Sequence, residues 1–276
     1  MGDQSSTAAA DGSVHVSRDA TILRIVLDRP AHRNSLSHAM IDTLVAALTD
    51  ASTDDALRAV HISGAGSDFC SGADWVATNS ATNSAAGRPR TGDLIRRIPL
   101  TAHRVIELLG TIALPVVCTV RGWAVGLGCN IALAADFTVA AQDAVFWEPF
   151  VDRGFTPDSG ATWLLPRLVG VARARRMLLL GEKVGASDAV DWGMIHGAAA
   201  PEDLDAVAEE LLSRLAAGPT VALGLTKSAI RTNASATLAA AMNQELYDLE
   251  LSCRTADFKE GLAAFRERRT PGFSGR

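Results

Sequence analysis

The sequence predicts an α/β fold that gives way to a helical region near residue 200. Short β-branched runs alternate with segments of helical period in the first half of the chain. Glycine-rich turns punctuate the strand ends there, and the later apolar pattern is almost wholly helical from Gly160 onward.

Residues 14–16 and 21–27 are short, β-branched and read as an opening hairpin that Asp28-Arg29-Pro30 breaks. Ser37 is placed to cap a helix whose apolar positions Met40, Ile41, Leu44, Val45 and Leu48 recur at helical spacing. Residues 59–62 form a buried strand running into Ser63-Gly64-Ala65-Gly66. Residues 78–92 are rich in Ala, Ser, Asn, Gly and Arg and read as a mobile loop of the kind that often covers a site. A helix is expected over 94–109, a buried strand over 115–120, a short helix over 126–134, and strands over 137–140 and 144–147. Amphipathic helices are expected over 173–180, 204–215, 220–230, 237–251 and 258–266. The expected organisation is a tail over 1–13, an α/β core over 14–200 and a helical region over 201–276.

The chain has 276 residues, 48% of them hydrophobic, which is ample for one sizeable core. A net charge of −5 provides no global positive field for nucleic acid or acidic lipid. The Ser/Ala/Gly/Asp-rich first residues lack the layout of a signal peptide, and no apolar run reaches the roughly 18 residues of a membrane helix. Cys70, Cys118, Cys129 and Cys253 are scattered without CxxC spacing, so reduced thiols in a cytoplasmic protein are expected rather than disulfides or a metal site.

Two glycine-rich turns carry the chemistry. Phe69-Cys70-Ser71-Gly72-Ala73-Asp74 and Gly122-Trp123-Ala124-Val125-Gly126-Leu127-Gly128-Cys129 each follow a strand. Glycine allows main-chain N–H groups to approach a ligand, and at a helix start those groups are unpaired and at the positive end of the dipole. Two such turns converging would polarise a carbonyl and stabilise an enolate. Neither fits GxxxxGK[ST] or GxGxxG, so a phosphate cradle is not indicated. Taken singly, each turn is more often just a tight strand–helix connection.

Leu27-Asp28-Arg29-Pro30 followed by Arg33-Asn34-Ser35-Leu36 resembles the first signature of the enoyl-CoA hydratase/isomerase (crotonase) superfamily. The turn from Phe69 to Asp74 is similar to its F-[SC]-[AS]-G-x-D segment, and Gly122 to Asp136 to its second signature. Pro166-Arg167-Leu168-Val169-Gly170, then Ala189 with Trp192-Gly193-Met194-Ile195, and Phe258-Lys259-Glu260-Gly261 with Ala264-Phe265 follow in the family's order. The resemblance implies a crotonase-like spiral of ββα units and a C-terminal helical trimerisation region, giving a homotrimer or a dimer of trimers. It implies an acyl-CoA thioester substrate, with coenzyme A as part of that substrate and no separate cofactor. It places the thioester oxygen against the amides of Ala73 and Leu127. Around the acyl group or its CoA portion it places Arg33, Ser35, Ser71, Asp74, Trp75, Trp123, Gly126, Asn130 and Phe150. Leu127 stands where the family often has glycine, but only its N–H is required.

Hydratases of this family use two glutamates, and their positions here are Asn130 and Phe150, neither ionisable. Thr156-Pro157-Asp158-Ser159-Gly160 resembles the P-[DE]-x-G segment of members that shift double bonds, so the resemblance assigns the proton shuttle to Asp158. One carboxylate suffices for isomerisation, because it removes a proton from one carbon and returns it to another. The same Pro-Asp-Ser-Gly run before a helix is also an N-cap signature, which would make Asp158 a poorer base. Glu148 and Asp152 flank the segment as reserve acids. The alternatives are a hydratase working through a non-standard acid and an acyl-CoA-binding protein without catalysis.

Overall fold

A computed structural model describes residues 12–74 and 92–276. The expected tail, apart from Gly12 and Ser13, and the expected loop over 78–92, apart from Gly92, lie outside the described residues.

Strands β1 (Ser13–Asp19) and β2 (Ile22–Asp28) form the antiparallel hairpin. Ile25 and Leu27 alternate with more exposed neighbours, so one face of β2 enters the core. Ser37 Oγ accepts from the Met40 amide and starts helix α1 (His38–Ala51). A cap of this kind contributes about 1 kcal/mol. Of the five predicted positions, Met40, Ile41, Leu44 and Leu48 are buried and Val45 is half-buried.

Strands β3 (Ala59–Gly64), β4 (Val116–Val120), β6 (Phe137–Ala141) and β9 (Gly197–Ala199) continue the sheet in parallel. The six-stranded order is β1-β2-β3-β4-β6-β9. Every residue of β4 is buried, as expected of an unbroken apolar strand in a covered parallel sheet. A second sheet of order β5-β7-β8 joins Trp123–Val125, Val145–Trp147 and Val184–Gly185.

Four expectations are corrected. The helix expected over 94–109 is interrupted: Asp93–Arg97 (α2) and Ala102–Thr111 (α3) flank a 3-10 turn at Ile98–Leu100. Pro99 lacks an amide donor and cannot continue an α-helix. Trp123–Val125, read as turn, is a strand; β8 and β9 are strands in a stretch read as helical. These strands have only two or three residues, several of them Gly or Ala, and present no period-two signal. The helix expected over 173–180 is the second half of α5 (Ala161–Leu180), bent where Gly170 adopts a φ of 77°.

Helix α4 (Leu127–Ala134) buries all but one of its eight residues, so it fixes its N-terminus rigidly in the core. After the short helix α6 (Ala186–Asp191), α7 (Leu204–Ala216) closes the outer sheet face. Its Leu212 packs on Ile22, Ala59 and Val117, and its Leu204 and Ala208 pack on Val139 and Ala141. Helices α8 (Thr220–Asn233), α9 (Leu238–Ser252) and α10 (Ala256–Glu267) complete the expected helical region. They leave Ile230, Leu238, Leu246, Tyr247 and Phe265 exposed.

Candidate active site

The two glycine turns are bonded to each other. The Phe69 amide donates to Arg121 O, the Cys70 amide to Trp123 O, and the Val125 amide to Cys70 O, at 2.8–2.9 Å. On the other side, Leu36 N–H donates to Gly72 O and Asp74 N–H to Leu36 O, at 2.8 and 3.0 Å. This ladder uses the amides around Ala73 but not that of Ala73 itself. Leu127 is the first residue of α4, so its N–H has no partner within the helix.

Glycine is required where the turns meet. Gly72 has a φ of 95°, and a Cβ there would lie 2.9 Å from Val125 O and 3.6 Å from the Leu127 nitrogen. A Cβ on Gly128 would lie 2.4 Å from Cys70 O. Ala73 and Leu127 therefore stand side by side on the wall of one cavity of about 260 Å3. Two free amides at one spot, one of them at a helix N-terminus, form a donor pair for a carbonyl that gains negative charge. Arg29 locks the first turn: its Nη1 donates to Asp74 Oδ2 at 2.6 Å and to Ser35 Oγ at 2.9 Å.

The facing wall is made of side chains. Asp158 lines the cavity with Phe150 and Phe155, whose rings meet edge to face at 5.4 Å. Burial raises the Asp158 carboxyl above its ordinary 3.8, while Ser159 and His103 oppose that shift. The Ser159 hydroxyl favours the charged form by proximity, although its geometry completes no hydrogen bond. Asp158 is not a helix cap: Gly160 holds that position, and no side chain bonds to the α5 amides there. The alternative left open by the sequence is thus removed.

The turn that carries Asp158 is strained and tethered. Ser159 has a φ of 49°, unusual for a residue with a side chain, and Gly160 follows at 85°. The Ser159 amide donates to His103 Nε2 at 3.3 Å, and Asn130 Nδ2 donates to Asp158 O at 3.4 Å.

Ser71, Ala73, Asp74, Gly126, Leu127, Phe150 and Asp158 come together on the one cavity. Asn130 is fully buried behind it and reaches Asp158 only through the backbone carbonyl. Arg33 is exposed, 4.0 Å from Asp68, and Ser35 is engaged by Arg29; neither lines the cavity. Trp123 is placed elsewhere: its ring packs on Trp147 at 6.2 Å with the Lys183 ammonium above it. Trp75 lies outside the described residues. Of the reserve acids, Asp152 lies against Gly181, and Glu148 is wholly buried; neither lines the cavity. Sequence reasoning missed His103, which tethers the Asp158 turn from outside the cavity, and it missed Phe155 and the apolar floor of Leu36, Ile41 and Ile98. The floor residues were legible only as core; for His103 no local signal exists.

Residues 17–276 match the family model for enoyl-CoA hydratase/isomerase. The chain is 36% identical to the 1,2-epoxyphenylacetyl-CoA isomerase of Escherichia coli K12, over 92% of this chain and 95% of that protein. It is 34% identical to the 2,3-dehydroadipyl-CoA hydratase of the same organism, over 95% and 98% of the two chains. A solved enoyl-CoA hydratase from Polaromonas sp. JS666 superposes with a TM-score of 0.87 at 30% identity, covering 95% of this chain and all of that one. The α/β core with its helical C-terminal region is thus the crotonase-like fold that the sequence motifs implied, and the chain belongs to the enoyl-CoA hydratase/isomerase family.

Proposed function

We propose that the protein is an enoyl-CoA double-bond isomerase with Asp158 as its proton shuttle. The observation that carries this reading is one cavity faced by two free amides, Ala73 and Leu127, and by one carboxyl group, Asp158. The Asp158 carboxylate takes a proton from the carbon between the thioester carbonyl and a 3,4 double bond. The electron pair passes into the carbonyl, giving a dienolate whose oxygen is held by the two amides. Asp158 then returns the proton to the fourth carbon, and the double bond ends conjugated with the thioester. No atom is gained or lost, so one acid suffices and no cofactor is required beyond the coenzyme A of the substrate. The positions of the hydratase glutamates, Asn130 and Phe150, hold no second acid for adding water.

A hydratase working through a non-standard acid is the second reading, and the 34% identity to a hydratase favours it. An acyl-CoA binder without turnover is the third. A panel of 3-enoyl-CoA and 2-enoyl-CoA thioesters separates them. Conversion of the 3-enoyl to the 2-enoyl thioester by wild type, lost in Asp158→Ala, is the expected result. Turnover unaffected by that substitution would refute the role of Asp158. A 3-hydroxyacyl product supports the second reading, and binding without turnover supports the third.

The proposal extends to assembly and place. The exposed Ile230, Leu238, Leu246, Tyr247 and Phe265 of the C-terminal helices form an apolar surface suited to a homotrimer or dimer of trimers. Light scattering should return three or six times the chain mass. Cys70, Cys118 and Cys129 are buried and unpaired, which suits a reducing cytoplasm, and no described helix is long and apolar enough to cross a membrane.

A further inference from the structure

Behind the Asp158 wall, three fully or nearly fully buried side chains present polar atoms that complete no hydrogen bond of good geometry with the protein, although the Cys129 thiol lies close to Glu148 and Asp158 lies close to Ser159. These are Asn130 Oδ1, both carboxyl oxygens of Glu148, and Ser159 Oγ. Buried polar atoms are matched in more than about nine cases in ten, so several together call for an explanation.

The three converge because the backbone brings their segments together. Trp147 O accepts from the Gly126 amide at 2.9 Å, so Glu148 emerges beside the first turn of α4. There its carboxyl meets the Cys129 thiol and feels the charge of Asp158. Asn130, one residue along, reaches Asp158 O, and Ser159 follows Asp158 directly.

A hydrogen-bond inventory indicates what fits between them. With Glu148 ionised, the only side-chain donors beside these oxygens would be the Ser159 hydroxyl and the weakly donating Cys129 thiol. A neutral Glu148 adds a strong donor of its own. Burial favours the same state, since it raises the Glu148 carboxyl well above its usual range. A neutral acid, an amide oxygen and a hydroxyl grouped around Asp158 offer the two to four polar partners that a buried water needs.

We propose that Glu148 is a positioning residue: with Asn130 and Ser159 it binds a buried water behind Asp158 and so holds the strained Asp158–Gly160 turn in register with the oxyanion hole. Its effect passes through Asp158, because Glu148 does not reach the cavity. The inference rests on the proposed role of Asp158.

The test is steady-state turnover of a 3-enoyl-CoA by the full-length protein carrying Glu148→Leu or Glu148→Gln, with Asp158→Asn in parallel. A displaced base costs up to about 10²-fold in rate. Glu148→Leu should lower kcat by about tenfold or more with KM little changed. Glu148→Gln, neutral and polar, should restore most of that loss. A residue needed only for folding would lower the melting temperature of the Leu variant and leave kcat alone. Unchanged kcat in the Leu variant, or a Gln variant as slow as Leu, overturns the proposal. If Glu148→Leu does not fold, Ser159→Ala removes another partner of the water and should lower kcat by a smaller factor; unchanged kcat there also overturns it. If Asp158→Asn retains turnover, it is the Asp158 reading that fails. If Asp158→Asn is inactive while the Glu148 and Ser159 variants match wild type, only the present inference fails.

Discussion

The wall that carries Ala73 and Leu127 is made of main chain, whereas the wall that carries Asp158 is made of side chains whose properties depend on burial. The first wall draws its precision from glycines and a hydrogen-bonded ladder, so it tolerates a leucine where glycine is common in the family. The second wall has no such tolerance. Its acid is tuned by desolvation, and its turn is held by Asn130 and His103 from other helices. A shared cavity thus joins a part fixed by local backbone geometry to a part fixed by long-range packing.

Breaking the side-chain wall should give the largest effect. Asp158→Asn keeps the shape and removes the base, and kcat should fall by about 10²–10⁴-fold while thioester binding persists. Wild-type turnover should also rise with pH through a midpoint above 3.8, because the working form is the carboxylate and burial raises its pKa. Breaking the main-chain wall comes next. Gly72→Ala puts a Cβ against Val125 O at a φ that L-residues avoid. It should displace one amide of the pair, at a cost of about 10²–10³-fold in kcat.

A smaller effect concerns stability. Glu148 binds its proton more tightly in the folded than in the unfolded chain, where the value is near 4.5. Its stabilising contribution is therefore full below that value and is lost as pH rises toward the raised folded value. Urea unfolding between about pH 5 and about pH 8 should show this decline in wild type, and Glu148→Gln should flatten it. The smallest effect on turnover is expected for Leu127→Ala. The amide remains, so kcat should stay within about tenfold of wild type. The nearly buried side chain, 4% exposed, is lost, and stability should fall by about 2–5 kcal/mol.

The same division explains what could be read in advance. Main-chain features leave marks in sequence: glycines at Gly72, Gly126 and Gly128 announce the turns, and the motifs around them announce the family. Ser37 announced the start of α1 because an N-cap is a local bond. The side-chain wall left weaker marks. Asp158 was legible as an acid in a Pro-Asp-x-Gly segment, but its freedom from capping was not, since Gly160 takes that position only once α5 forms. The burial of Glu148 depends on the chain after β7 meeting Cys129 of α4, and the position of His103 depends on α3 meeting the turn that precedes α5; neither is written in neighbouring residues. Trp123 misled for the opposite reason: an aromatic within the second signature found its partner in Trp147, on the small sheet.

The most direct test of the division of labour uses Asp158→Asn with a 3-enoyl-CoA labelled with ¹³C at the thioester carbonyl. Two signals are read together: the carbonyl shift on binding, which reports polarisation by Ala73 and Leu127, and formation of the conjugated 2-enoyl thioester, which reports proton transfer. The account predicts a carbonyl shift equal to that of wild type and conjugated product formed at least about 10²-fold more slowly in the variant. Conjugated product at the wild-type rate, or loss of the carbonyl shift with the amides undisturbed, would contradict it.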